Sequence, residues 1–95
     1  MISNKLRQSA RGRDCTLRLE SICNFNRETT VLAHLPCGQK GVGMKSPDNM
    51  AVFACSDCHA YIDGASRWSV HAKDYLRALA ETQKYWIEQG LIAVK

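Results

Sequence analysis

Two pairs of cysteines have a spacing that suits a metal ion. Cys55 and Cys58 are separated by two residues, which lets the chain turn and brings both sulfurs to one ion. Seven residues lie between Cys15 and Cys23, enough for a tight hairpin to bring its two ends together. Four thiolates complete the closed tetrahedral shell of a structural zinc site. The sequence therefore predicts a structural Zn²⁺ ion bound by these four cysteines.

Disulfide, packing, redox and haem roles each account for less of the cysteine pattern. Five cysteines are an odd number, which disfavours a disulfide framework, although buried cysteines also serve as small apolar residues. A redox C-x-x-C motif would need βαβ surroundings. The C-x-x-C-H pattern of residues 55–59 matches haem attachment but leaves Cys15 and Cys23 without a role. The fifth cysteine, Cys37, is predicted to be a spare thiol, with replacement of Cys23 as a ligand as the alternative.

Size and charge narrow the class of protein. A chain of 95 residues is expected to form one domain, and so small a core benefits from a metal cross-link. Residues 1–45 contain eight basic and three acidic residues (+5), whereas residues 46–95 contain five and six (−1). A basic N-terminal half suits nucleic acid, although a solvated basic face explains the charge equally well. Residues 1–13 are basic without an apolar run, and no membrane span is present, so a cytoplasmic location is expected.

Alternation and turn residues predict the secondary structure. Strands are expected at residues 14–20, 29–35 and 50–54, a long loop at 36–49, and helices at 56–63 and 69–89. Ser69 is expected to cap the second helix, and Gly64 and Gly90 to end the two helices. The core face of the second helix is predicted to contain Tyr75, Leu76, Leu79, Gln83, Trp86 and Ile87. The order predicts an α+β fold, a ββα unit with an additional long C-terminal helix.

Histidines near the second cysteine pair have the chemistry of a hydrolytic site. His59 and Asp63 are four residues apart, so on a helix they share a face and can bind one divalent cation such as Mg²⁺, Mn²⁺ or Zn²⁺. Such an ion would stabilise the charge that develops on a scissile phosphate. His34, at the end of the preceding strand, would take a proton from the attacking water, because imidazole titrates near neutral pH. The alternatives are a histidine packed at a strand end for His34, and a neighbour or ligand of the zinc site for His59.

The order of these residues resembles the HNH nucleases, also called ββα-metal or His-Me finger nucleases. His34 is followed by Asp48 and Asn49 and then by the C-x-x-C-H of residues 55–59. The resemblance implies a zinc-stabilised ββα-metal domain in which His34 is the general base, Asn49 steadies the motif and His59 binds the catalytic metal. Asp48 is the alternative to Asn49, which lies one residue further from the C-x-x-C pair than is usual. Ala33 stands where many HNH enzymes have a metal-binding Asp or His.

The whole chain also resembles a family of prophage-encoded nucleases of about this length. The shared stretches are residues 10–13, Cys15, residues 31–34, residues 47–48, residues 54–59 and residues 62–63. The resemblance implies a metal-dependent endonuclease that hydrolyses phosphodiester bonds in nucleic acid, with DNA as the expected partner. Phosphate contacts are predicted for Arg7, Arg11, Arg13 and Arg18. The alternatives are a non-catalytic zinc module that binds nucleic acid and a structural or protein-binding zinc domain.

Overall fold

Helices surround a two-stranded sheet in the computed structural model, which describes residues 4–35, 48–64 and 69–93. In chain order the elements are α1 (Asn4–Ser9), a 3-10 turn (Arg27–Thr29), β1 (Val31–His34), β2 (Ala51–Ala54), α2 (Ser56–Asp63) and α3 (Ala72–Glu88). The predicted α+β class with a long C-terminal helix is confirmed. Among the described helices, none has the length and apolar character needed to cross a membrane. Most of the predicted loop, including Cys37, lies outside the described residues.

The sheet is an antiparallel hairpin that brings His34 to one of its ends. Val31 lies opposite Ala54, and His34 lies opposite Ala51 at the far end of the ladder. All four residues of β2 are buried, whereas β1 exposes Val31 and buries Ala33. This difference follows from position, because β2 also packs against α3. The end of β2 leads directly to Cys55 and α2.

Helix α2 has the bounds predicted from the sequence and begins at the second cysteine pair. Cys55 is its N-cap, and the Cys55 sulfur accepts a hydrogen bond from the Cys58 backbone N–H at 3.4 Å. Cys58 and Ile62 are buried on its inner face. Gly64 follows the last helical residue, as predicted. Because consecutive helical residues point about 100° apart, His59 is turned away from the buried Cys58.

Helix α3 begins later and packs differently than predicted. His71, not Ser69, is its N-cap, and the His71 Nδ1 atom accepts a hydrogen bond from the Lys73 backbone N–H at 3.1 Å. The buried residues are Ala78, Thr82 and Trp86. Leu76 and Ile87, predicted to face the core, are 68% and 45% exposed. Gly90, with φ of +71°, follows the end of the helix as predicted.

The prediction of a strand at residues 14–20 is wrong. The segment makes one ladder-like hydrogen bond to the sheet, from the Thr16 backbone N–H to the Phe53 carbonyl at 2.7 Å. Arg18 then adopts a left-handed backbone conformation with φ of 44°, and this conformation interrupts the extended backbone of a strand. The Arg77 guanidinium donates to the carbonyls of Thr16 and Leu17, so these groups bond to a side chain and not to a second strand. Cys15, Thr16 and Leu17 are consecutive and all buried, which is the pattern of an irregular segment and not of a half-buried strand.

A second cluster of buried residues explains α1, a helix that the sequence pattern did not reveal. Leu6 and Ala10 pack with Phe53 and Trp86. The Trp86 indole N–H donates to the Ser9 hydroxyl at 2.8 Å. A six-residue helix is unstable alone in water, so these contacts with β2 and α3 stabilise it. Docking of α1 places Arg7 next to the sheet.

Candidate metal centre and active-site cleft

The sulfur atoms of Cys15, Cys23, Cys55 and Cys58 form one compact cluster. All four lie within 4.8 Å of one another, and the Cys23 and Cys55 sulfurs are 3.8 Å apart. Zn–S bonds of about 2.3 Å would place the corners of a tetrahedron about 3.8 Å apart. In the described ranges this is the one group of three or more metal-binding side chains at such distances. The donor set and spacing therefore suit a tetrahedral metal ion.

Backbone N–H groups around the cluster point at all four sulfurs. Cys15 accepts from Arg18 at 3.4 Å, and Cys55 accepts from Cys58 at the same distance. The remaining bonds are from Phe25 to Cys23, from Asn24 to Cys55 and from Leu19 to Cys58. Arg18 and Phe25 adopt left-handed backbone conformations. Because N–H donors stabilise negative charge on sulfur, the turns are arranged for thiolates.

The pKa values of the thiols show that burial opposes their ionisation, which a bound cation would favour. Burial and the neighbouring sulfurs raise the pKa of Cys23 to about 11, and burial also raises the pKa of Cys58. Burial acts in the same direction on Cys55, but N–H groups of Asn24 and Cys58 hold its pKa below the ordinary value. Four closely spaced thiolates need a compensating positive charge. Metal binding at this cluster would therefore release protons and strengthen as pH rises.

A cleft on the other side of α2 brings His34 and His59 together. Its volume is about 310 Å³, and it is lined by Arg7, Arg11, Thr30, Val31, Leu32, His34 and His59. Strand β1 supplies His34, and α2 supplies His59 directly after the buried Cys58. The Thr30 hydroxyl in this wall is buried and has no hydrogen-bond partner within the described part of the chain. The cleft thus combines two imidazoles, two guanidiniums and an unused polar group.

The Asp48 carboxylate contacts the His34 ring and fixes its orientation. The His34 Nε2 atom lies 2.6 Å from an Asp48 carboxylate oxygen, and the exposed fractions of the two side chains are 13% and 5%. Arg7 lies 3.6 Å from the second Asp48 oxygen. An ionised carboxylate only accepts hydrogen bonds, so Nε2 is the donor in this contact, and in a neutral imidazole Nδ1 then carries the lone pair. The arrangement leaves one nitrogen of a fixed imidazole available as a base.

Asn49 and Asp63 lie outside the set of described residues that lines the cleft. Asn49 is exposed, and its backbone carbonyl accepts a hydrogen bond from the Gln83 side chain at 3.0 Å. Asp63 is exposed at the C-terminal end of α2. The contact with His34 is made by Asp48, the residue that the sequence offered as the alternative. The Arg7 contact with Asp48 had no signal in the sequence, since α1 was not predicted.

The four arginines predicted to bind phosphate fall into two groups. Arg7 and Arg11 line the cleft. Arg18 instead forms two hydrogen bonds to Glu81, at 2.9 and 2.8 Å, and these lower the pKa of that carboxyl. The Arg13 guanidinium lies over the Tyr85 ring, 5.1 Å from its centre. Positive charge close to the two histidines therefore comes from α1 and the residues after it.

Replacement of Cys55 by serine is expected to remove the metal ion and most of the folded population. The change takes one sulfur from a closed shell, and the free energy of metal binding is part of the free energy of folding. Metal analysis of protein purified without added metal, together with thermal unfolding followed by circular dichroism, measures both effects. Wild-type protein is expected to contain one zinc ion per chain.

Cys37→Ser is the matched control, because it makes the same chemical change at the cysteine that the sequence predicts to be a spare thiol. We expect unchanged zinc content and unchanged thermal stability. Loss of zinc in Cys37→Ser together with retention in Cys23→Ser would show that Cys37 is the ligand.

Comparisons with known proteins identify the family of this chain. Residues 4–91 match the family described as "Putative nuclease YbcO". The chain is 44% identical over 91 residues to "Putative nuclease YbcO" of Escherichia coli (strain K12) and to "Putative nuclease ybcO" of Enterobacteria phage 82, covering 92% of this chain and 95% of each relative. It also matches a solved structure, "Structure of a putative bacteriophage protein from Escherichia coli str. K-12 substr. MG1655", with a TM-score of 0.68 and 39% identity. That match covers 90% of this chain and 100% of the other. This chain therefore belongs to the YbcO family.

Proposed function

We propose that this protein is a metal-dependent endonuclease of the HNH type that hydrolyses phosphodiester bonds in nucleic acid, with DNA as the expected substrate. The observation that carries the proposal is the shared cleft of His34 and His59, with Arg7 and Arg11 at its wall. Guanidinium groups suit phosphate recognition, and imidazole suits proton transfer at neutral pH. The nuclease name of the family supports the same class of reaction.

His34 is the proposed general base. Asp48 fixes the orientation of the ring through Nε2, so Nδ1 keeps the lone pair that can accept a proton from a water molecule. A buried carboxylate also stabilises the imidazolium that forms once the proton has moved. Asp48 is therefore proposed as the positioning residue in place of Asn49.

His59 and Asp63 are the proposed ligands of the catalytic divalent ion. One imidazole and one carboxylate from successive turns of α2 would hold this ion. When bound, it would supply charge stabilisation at the scissile phosphate and at the leaving oxygen. Arg7 and Arg11 bind the same phosphate group and orient it. The four cysteines are proposed to hold a separate Zn²⁺ ion that fixes the start of α2.

A non-catalytic zinc module that binds nucleic acid is the second candidate. Ala33 occupies a position where many HNH enzymes have a metal ligand, and Asp63 is absent from the residues that line the cleft. Both candidates predict zinc and salt-sensitive binding of nucleic acid. Only the endonuclease predicts cleavage, and it predicts that cleavage requires His34.

His34→Ala is expected to lower the rate of cleavage by about 100-fold or more, because removal of a general base costs about 10²–10⁴ in rate. Plasmid, single-stranded DNA and RNA are each incubated with Mg²⁺, Mn²⁺ or Zn²⁺, and cleavage is followed on gels. Zinc content and affinity for nucleic acid should stay almost unchanged. His71→Asn is the matched control, since it changes a histidine but keeps a side chain that can cap α3.

Equal cleavage by wild type and His34→Ala would contradict the role of His34. Absence of cleavage by the wild-type protein under every metal condition would favour the non-catalytic module.

Asp48→Asn is expected to reduce kcat and leave KM nearly unchanged, because the amide keeps the size of the side chain but weakens its hold on the His34 ring. Asn49→Ala should change neither constant by more than about twofold, since Asn49 lies outside the cleft lining. Single-turnover cleavage kinetics of the two variants separate the alternatives. A larger loss of kcat in Asn49→Ala than in Asp48→Asn would show that Asn49, and not Asp48, is the positioning residue.

Replacement of both Arg7 and Arg11 by glutamine is expected to weaken binding of nucleic acid and to flatten its salt dependence. Each lost phosphate contact should reduce the slope of log affinity against log salt by about 0.9 for duplex DNA. Fluorescence anisotropy over a series of salt concentrations measures the slope. The Lys73→Gln/Lys84→Gln variant removes the same charge from positions on α3 and should leave the slope unchanged. Identical slopes for both double variants would remove α1 from the interface.

A further inference from the structure

Phe25 is an apolar aromatic residue that the metal centre holds at the surface. Its side chain is 76% exposed, the largest value among the exposed large hydrophobic residues in the described part of the chain. Its backbone is left-handed, with φ of 55°, and its N–H group bonds to the Cys23 sulfur. Bulky residues rarely adopt this conformation. The cysteine cluster therefore fixes the backbone that presents this ring to solvent.

Two cavities adjoin beside this ring. The smaller, about 260 Å³, has Phe25, Arg18 and Cys15 in its wall together with Asp14 and Arg27. The larger, about 480 Å³, also contains Asp14 and Arg27, and adds Arg13 and Tyr85 among its lining residues. The Arg27–Asp14 ion pair lines both cavities, so the two lie side by side, with Phe25 in the wall of one and Tyr85 in the wall of the other. We call the two together the aromatic surface.

The chemistry of the aromatic surface suits bases more than phosphates. Two of its three arginines are paired with acidic side chains, Arg27 with Asp14 and Arg18 with Glu81. The Arg13 guanidinium lies over Tyr85. Aromatic rings and guanidinium planes are the groups on which unpaired bases stack, whereas bases inside a duplex offer no free face. A guanidinium that is paired with a carboxylate can still donate hydrogen bonds to a base. Its positive charge is offset, however, so it attracts phosphate only weakly.

The aromatic surface continues from the cleft along the chain. Arg11 lines the cleft, and Gly12 and Arg13 line the larger cavity. Gly12 has φ of +73°, and a Cβ atom there would meet nothing within 4 Å. A nucleic-acid strand that runs from Arg11 toward Arg13 would therefore meet no side chain at Gly12.

We propose that the aromatic surface binds unpaired bases, so that the substrate is a nucleic acid with a single-stranded segment next to the scissile phosphate. The proposal extends the site of the proposed function, on which it rests. Phe25 stacks on one base at the far end of the surface. Arg13 and Tyr85 receive a base nearer the cleft, where Arg7 and Arg11 bind phosphate.

The test measures binding of fluorescent oligothymidylate and of a blunt duplex by zinc-loaded full-length protein carrying His34→Ala, which prevents cleavage. Phe25→Ala is expected to weaken oligothymidylate binding about tenfold, the usual order for loss of one stacked base. Duplex affinity and the slope of the salt dependence should not change. Leu76→Ala is the matched control, because Leu76 is 68% exposed on α3 and outside both cavities.

Two more variants separate stacking from apolar contact. Phe25→Tyr keeps an aromatic face and should bind as the parent does, whereas Phe25→Leu should be as weak as Phe25→Ala. Unchanged binding in Phe25→Ala, or equal losses with oligothymidylate and duplex, would overturn the proposal. Plasmid cleavage by protein with His34 intact reports separately on the proposed function, so failure of one is distinguishable from failure of the other.

Discussion

The cluster of four sulfurs is the constraint on which the rest of the fold depends. It joins an irregular N-terminal segment to the start of α2, since Cys23 and Cys55 are 32 positions apart in the chain. Three of its cysteines belong to the larger group of buried apolar residues, so the sulfur cluster and the main core are one structure. A chain of 95 residues buries too little apolar surface for such irregular turns to be stable alone. Their left-handed residues are tolerated because the sulfurs accept the N–H groups that the turns expose.

Helix α2 connects this centre to the cleft. Cys58 is fully buried against the core, and His59, the next residue, lines the opposite cleft. The sheet fixes the second histidine, because β2 runs into Cys55 and its partner β1 ends at His34. Both imidazoles are therefore placed by elements tied to the same four sulfurs. Displacement of about 1 Å at a reacting group can cost about 100-fold in rate, so a rigid centre beside the cleft suits hydrolysis.

Sequence patterns predicted the elements that short-range chemistry determines. The sequence was enough to predict a strand, a turn at the C-x-x-C pair and a helix that ends before Gly64. Caps and turns depend on neighbouring residues, so their signals lie close together in the chain. Helix α1 was not, since six residues gain stability only through distant partners such as Trp86. Burial along α3 was misjudged because Ala78 and Thr82 face the core, which leaves Leu76 exposed. Among the candidate site residues, the two histidines could be identified from their place in the sequence motif. The contact between Asp48 and His34 could not, because it joins residues that are distant in the chain.

Net charge alone overstates how much of the N-terminal half is available for nucleic acid. Arg18 and Arg27 are paired with acidic side chains and neutralise them. Arg7 is likewise paired, with Asp48, which also contacts His34, whereas Arg11 lines the cleft with no acidic partner in the described part of the chain. The proposed phosphate contact in the cleft therefore depends chiefly on Arg11. At the aromatic surface Arg13 lies over Tyr85, so a nucleic-acid strand whose phosphate lay at Arg11 would bring its bases toward that ring.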